Sequence, residues 1–413
     1  MHVRVRAGVV AFAAACLALT SIGCGEPTAE DRVADTMRRT EDIRGLSAIE
    51  PVPYRFLPGD EAFDDLIDDW LESDAARGTE ADALVMQRLG LLPLGFDILE
   101  VLEWSTRTGV LGYYDPEAKR MTVVSDPDDV GPGDLLVLAH EHAHALQDQH
   151  FGLDRDDGLD GDEAAAFDAL VEGEATLVMA IWAMKRLGAM DVEELEASDI
   201  PTDVMPVDEV PDILYRLGEF PYVDGAAFVF DKWGDGDWSA IDALWANPPV
   251  SSEQILHPER YPDDVPDVVE MPDIAAALGP GWEVAAEMVV GEMQIGVLLA
   301  DGEPWDYSDD DVAFTFPELA NARAAEGWGG DRLVHVTGPE DDWVIVWQTT
   351  WDRSRDAREF SAAAGAAFVD LPFSAVVIEG TDVTDGSLRH PVLVMITHDV
   401  AARVRTLAAL APT

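Results

Sequence analysis

The chain has 413 residues and carries 82 acidic against 26 basic side chains, a formal charge of −56 at pH 7. So acidic a molecule repels phosphate backbones and anionic bilayers, which excludes nucleic acid and the membrane surface as partners. The length is ample for a hydrophobic core, and the surplus of carboxylates reads as a solvated surface suited to a saline exterior.

Arg4 and Arg6 open the chain, and Val9 to Leu19 is an apolar run too short for a stable membrane span. This is an export-signal pattern over residues 1–23. It ends at Ser21-Ile22-Gly23-Cys24, which resembles a bacterial lipoprotein cleavage site with Cys24 as the lipid-bearing first residue. A leucine is more usual where Ser21 stands, and secretion without lipid is the alternative. Any contact with membrane would then be through the lipid on Cys24, at the cell envelope. The only other cysteine is Cys16, so the mature chain has neither a disulfide nor a thiolate metal ligand.

Residues 24–108 read as a helical region. Apolar spacing near 3.6 predicts helices over 60–72, 80–89 and 97–108. A β-hairpin follows, with strands at 110–115 and 120–125 around Pro116-Glu117-Ala118-Lys119. An edge strand of such a hairpin can pair with an extended peptide.

Gly131-Pro132-Gly133 breaks the chain, and Asp134 is the expected N-cap of a helix over about 134–149. Inside it stands His140-Glu141-His142-Ala143-His144. Histidines four apart lie about 40° apart around a helix, so His140 and His144 can reach one metal ion. Glu141 can reach a water bound to that metal. His-Glu-x-x-His on a helix is a zinc-hydrolase pattern: zinc makes its water acidic, and the glutamate takes the proton. The flanking Leu135, Leu136, Val137, Leu138 and Ala139 make the helix apolar, and histidines buried there for no purpose are costly.

A catalytic zinc site needs a third protein ligand. The loop Asp154 to Asp162 is acidic but does not fit EF-hand spacing. The Ala-rich stretch 162–187 is strongly helical and offers Glu172 and Glu174, about 200° apart on the helix, so only one can face the metal. The Glu172 face carries the small Ala165, Ala169 and Ala175. The Glu174 face carries Leu170, Val171, Leu177, Val178 and Ile181, and a carboxylate there would need a partner. Helix geometry leaves both open.

A zinc helix followed by a helix bearing Glu172-Gly173-Glu174-Ala175 resembles the gluzincin clan of metallopeptidases. The resemblance implies that Glu172, before the glycine, is the third ligand, and that the unit is zincin-like. The gap from His144 to Glu172 is longer than in the best-known members. The string Ala139 to Phe151 also resembles a group of exported bacterial proteins with an extended zinc helix. So do Phe220-Pro221-Tyr222-Val223-Asp224-Gly225, the stretch Asn247 to Pro258, and Gly327-Trp328-Gly329-Gly330-Asp331-Arg332. These matches carry class, not specificity.

Residues 190–215 are rich in Pro and Asp and read as a loop over the site, and 222–257 as helical. Ser251 and Gln254 have capping-box spacing, with Pro258 ending a short helix. Tyr222 and His257 are candidates for the hydrogen bond to the oxyanion that this class needs. Beyond 275 the pattern becomes mixed. Strands are expected at 332–337, 343–350, 374–380 and 391–397, and helices at 282–299, 355–367 and 400–410. Trp343, Trp347 and Trp351 share one strand face and read as core.

The expected organisation is an α+β protein. It comprises a signal (1–23), a helical region (24–108), a mainly helical zincin-like catalytic unit with a β-hairpin before its zinc helix (109–275), and an α+β region (276–413). The expected activity is zinc-dependent hydrolysis of a polypeptide by an exported metallopeptidase, with Zn2+ on His140, His144 and Glu172 and with Glu141 as base. The alternatives are a non-catalytic metal-binding surface lipoprotein and a zinc hydrolase of a non-peptide amide or ester.

Overall fold

The structure, a computed structural model, describes residues 28–71, 74–126, 130–153, 159–186, 210–300, 323–380 and 389–398. The export signal, Cys24, most of the acidic loop, most of the loop expected at 190–215 and the helix expected at 400–410 lie outside the described residues. Among the described residues no helix is long and apolar enough to cross a membrane.

The architecture is α+β with two sheets. Helix α1 (Ala29–Arg44) starts at a reciprocal cap between Thr28 and Asp31. Strand β1 (Tyr54–Leu57) precedes helices α2 (Gly59–Leu71), α3 (Asp74–Leu89) and α4 (Ile98–Gly109). Strands β2 (Gly112–Asp115) and β3 (Arg120–Val124) form the expected hairpin. Asp115 closes its turn by accepting from the Glu117 and Ala118 N–H groups. β1 was not foreseen. It pairs parallel to β3 and gives the order β1-β3-β2. Four residues between prolines are too few for an alternation signal, and the partner lies over 60 residues away.

Helix α5 (Pro132–Phe151) carries the His-Glu-x-x-His motif. It starts earlier than expected, because Pro132 suits the first helical turn. Gly131, not Asp134, is the N-cap; Asp134 sits three residues in and accepts from the Gly131 N–H at 2.6 Å. Helix α6 (Gly161–Arg186) packs beside α5, and α1 and the hairpin also pack on α5. Helix α7 (Asp212–Trp233) runs along α6 and takes up residues 212–215, assigned to a loop from sequence. Helix α8 (Trp238–Ala246) and the short α9 (Ser252–Leu256) follow. Ser251 caps α9 through the Gln254 N–H, but the Gln254 amide accepts from Val250 rather than Ser251, so the box is one-sided.

Beyond α10 (Ile274–Leu278), strand β4 (Glu283–Met288), helix α11 (Gly291–Leu299), strands β5 (Trp328–Thr337) and β6 (Trp343–Trp351), helix α12 (Ser354–Ala367) and strands β7 (Ser374–Glu379) and β8 (Val392–Thr397) form the second unit. Its antiparallel sheet has the order β4-β5-β6-β8-β7. The single helix expected at 282–299 is a strand and a helix, broken before Gly291, whose φ is +77°. Edge pairing with β5 overrides the helical preference of Glu283-Val284-Ala285-Ala286-Glu287-Met288. Trp343, Trp347 and Trp351 are core as expected. They pack with Phe360 and Ala364 of α12, with Ile295 and Leu299 of α11, and with Val85 and Leu89 of α3. Val334, Val336, Val344 and Met395 meet Ile274 and Leu278 of α10 on the other face.

Candidate metal centre

The apolar face of α5 is buried against the first sheet through Leu135, Leu138 and Ala139, which turns the next helical face toward α6. On it His140 and His144 stand one turn apart with ring centroids 4.7 Å apart, nearly perpendicular. His144 Nε2 lies 3.0 Å from His140 Nε2. Glu172 reaches in from α6: its Oε2 is 3.1 Å from His140 Nε2 and 3.3 Å from His144 Nε2. One ligand atom from each of the three residues therefore falls within 4.8 Å of the others. Burial disfavours the Glu172 carboxylate, but the charge of His144 and hydrogen bonds from both imidazoles hold it well below the usual range. Burial acts to depress His144, yet the Glu172 and Glu141 carboxylates push it up to about 9. Each shift has the same cause: the charged imidazole and the charged carboxylate stabilise one another at close range.

Glu174 is not part of this group. Its carboxylate is buried, paired with the Arg44 guanidinium of α1, and accepts from Trp245 Nε1 at 2.6 Å. Arg44 also reaches Asp242 of α8 at 2.6 Å. This is the partner that a carboxylate on an apolar face requires. Of the two glutamates, Glu172 joins the histidines and Glu174 ties α1, α6 and α8 together.

Glu141 lies beside the three, 5% exposed. Burial raises its carboxyl, while the neighbouring imidazoles and the Tyr114 backbone N–H favour the charged form. β2 must therefore approach α5 closely, and Gly112 permits it. A Cβ there would sit 2.5 Å from Val137 Cγ1 and 3.3 Å from Glu141 Cγ. β2 is an edge strand of its sheet. The hairpin is pinned to α5 by Asp148, whose Oδ2 accepts from the Tyr114 hydroxyl and from Lys119 Nζ, each at 2.7 Å. His142 points to the opposite side, 3.4 Å from Glu41 of α1, and burial lowers its pKa to about 4.

The two oxyanion candidates part company. The Tyr222 ring stacks on His140 with centroids 6.2 Å apart, one side open to solvent. Burial of its phenol, and then the Glu172 and Glu141 carboxylates, raise its pKa. His257 is engaged elsewhere: its Nε2 lies 2.9 Å from Glu292 of α11. A second acidic group, Glu253, Asp264 and Asp352, also converges, but Arg260 Nη1 fills it, in contact with Glu253, 3.2 Å from Asp264 and 3.1 Å from Asp352.

Sequence reasoning missed Gln147. Its Oε1 lies 2.8 Å from His144 Nδ1 and its Nε2 donates to the Val171 carbonyl at 2.9 Å. The available signal was an amide three residues after His144, on the same face of an apolar helix.

Residues 282–389 match a domain of unknown function, DUF8575, which covers most of the second sheet and none of the residues of this centre. No curated protein and no solved structure matches the chain.

Proposed function

We propose that this protein is an exported zinc-dependent metallopeptidase of gluzincin type, built on a zincin-like unit of α5, α6 and the hairpin. The observation that carries the reading is the convergence of His140, His144 and Glu172 on one point with Glu141 buried beside it. Two imidazoles and one carboxylate from two helices are a donor set that fits zinc and leaves a fourth position for water. Bound there, zinc supplies Lewis acidity, polarising a carbonyl and making water a nucleophile near neutral pH.

The chain's own groups do the rest. Glu141 accepts a proton from the attacking water and delivers it to the amine nitrogen as the C–N bond breaks. The Tyr222 hydroxyl, beside Glu172 and Glu141, is the donor for the developing oxyanion. The outer edge of β2 offers backbone groups to an extended polypeptide. A lipid on Cys24 would hold the enzyme at the cell envelope.

The test is digestion of an unstructured polypeptide such as casein, and then of a broad peptide library, by the purified mature protein. The expected result is cleavage that a chelator abolishes and added zinc restores. Absence of cleavage by zinc-loaded protein across the library would favour the non-catalytic metal-binding lipoprotein.

A further inference from the structure

Gln147 makes two hydrogen bonds, one with His144 of α5 and one with the α6 backbone next to Glu172. It is 1% exposed on α5, one turn beyond His144. Its Nε2 donates to the carbonyl of Val171, the residue before Glu172. That bond fixes which end of the amide faces the histidine, because only the Nε2 end can donate to a carbonyl. The Oε1 end therefore faces His144 Nδ1 at 2.8 Å, and an acceptor there requires Nδ1 to carry a proton. The other ring nitrogen, Nε2, is the one aimed at His140 and Glu172. His140 has no equivalent support: its Nδ1 is buried without a partner among the described residues.

We propose that Gln147 is the positioning residue of the centre. It holds His144 with a proton on Nδ1, so that Nε2, which faces Glu172, is the nitrogen that would give up its proton to a metal, and it couples that orientation to the α6 backbone that presents Glu172. The proposal rests on the zinc reading of the site. Supporting groups behind a ligating histidine set ring orientation and basicity, and losing one typically costs about 10–100-fold in metal affinity.

The experiment compares wild type, Gln147→Met and Gln147→Glu. Met preserves length and removes both hydrogen bonds. Glu restores an acceptor for Nδ1–H but not the donor to Val171. Zinc affinity is measured by competition with a chromophoric chelator, and near-UV circular dichroism of the metal-free proteins checks the fold. The His144 Nδ1–H is read by NMR on histidine-labelled, metal-free protein, with His144→Ala for assignment. Gln147→Met should bind zinc about 10–100-fold more weakly and lose a slowly exchanging Nδ1–H present in wild type. Gln147→Glu should recover most of that affinity. If Gln147→Met does not fold, Gln147→Asn, too short to reach both partners, takes its place with the same expected losses. Wild-type affinity and an unchanged Nδ1–H in a folded Gln147→Met would overturn the role, as would a folded Gln147→Glu no better than Met. Wild type that binds no zinc would sink the metallopeptidase reading instead, and the metal-free Nδ1–H signal would still decide the hydrogen bond.

Discussion

Gly173 of α6 and Gly225 of α7 meet backbone to backbone. A Cβ on Gly173 would overlap the Gly225 carbonyl and come within 2.8 Å of the Ala226 nitrogen, and one on Gly225 would overlap the Ala169 carbonyl. The contact sits next to Glu172 on one helix and three residues from Tyr222 on the other. It brings Tyr222 over the His140 ring. Gly173→Ala should force the helices apart, an overpacking cost of about 1–3 kcal/mol. It should also draw Tyr222 away from the centre. Denaturant unfolding reads the first effect. The second should appear as a fall in turnover greater than the fall in zinc affinity, and equal losses of both would argue against it.

The two glutamates of α6 should separate cleanly by what each variant loses. Glu172→Ala removes the third residue of the proposed ligand set and should lower zinc affinity by more than the roughly 10–100-fold typical of supporting groups, with the fold intact. Glu174→Ala should keep zinc but strand the buried Arg44, at a cost of about 3 kcal/mol because only the half-exposed Asp242 remains to pair with it. Metal analysis beside thermal unfolding checks both. Zinc loss in Glu174→Ala alone would reverse the assignment.

The Glu172–Glu174 choice also marks the limit of what was legible in the sequence. Helix α5 was readable because its signals are local, namely the histidine spacing and the apolar flanks, although its start was placed two residues late. The hairpin was readable for the same reason, since its Asp115 turn is closed within three residues. Glu172 and Glu174 differ only in what meets them, and the partners of Glu174 lie 130 residues before it and 71 after it, at Arg44 and Trp245. The partner of His257 was hidden for the same reason, since Glu292 lies 35 residues on, in the second unit. β1 and β4 were missed because each is specified by a neighbouring strand rather than by its own composition.

Glu141→Gln separates an enzyme from a protein that only holds metal. The side chain is buried and nearly isosteric with its replacement, so zinc content and unfolding temperature should stay close to wild type. Turnover should fall by at least about 10²-fold, because the amide cannot take a proton from water. Cleavage that persists in both the variant and the zinc-free protein would point to a different active site or to a contaminant.

Ten residues before Glu172, Asp162 at the start of α6 should make the fold sensitive to pH. Its Oδ2 accepts from the Ser252 N–H at 3.0 Å, and α11 packs over it at Gly291, where any Cβ would overlap its carboxyl. Burial, with the charges of Asp331 and Asp160, pushes its pKa up to about 7, against 3.8 ordinarily. The folded chain thus holds a proton that the unfolded chain has released. This contribution to stability is complete below about pH 4, declines as pH rises toward 7, and is level above it. The shift of about three units sets an upper limit of about 4 kcal/mol on the decline. Asp162→Asn copies the protonated form, and its amide oxygen can still accept from Ser252. Denaturant unfolding should therefore find the variant equal to wild type at about pH 3.5 or below and more stable at pH 8. An equal difference at both pH values would mean that Asp162 is ionised in the folded protein throughout, with its charge offset by the hydrogen bonds from Ser252.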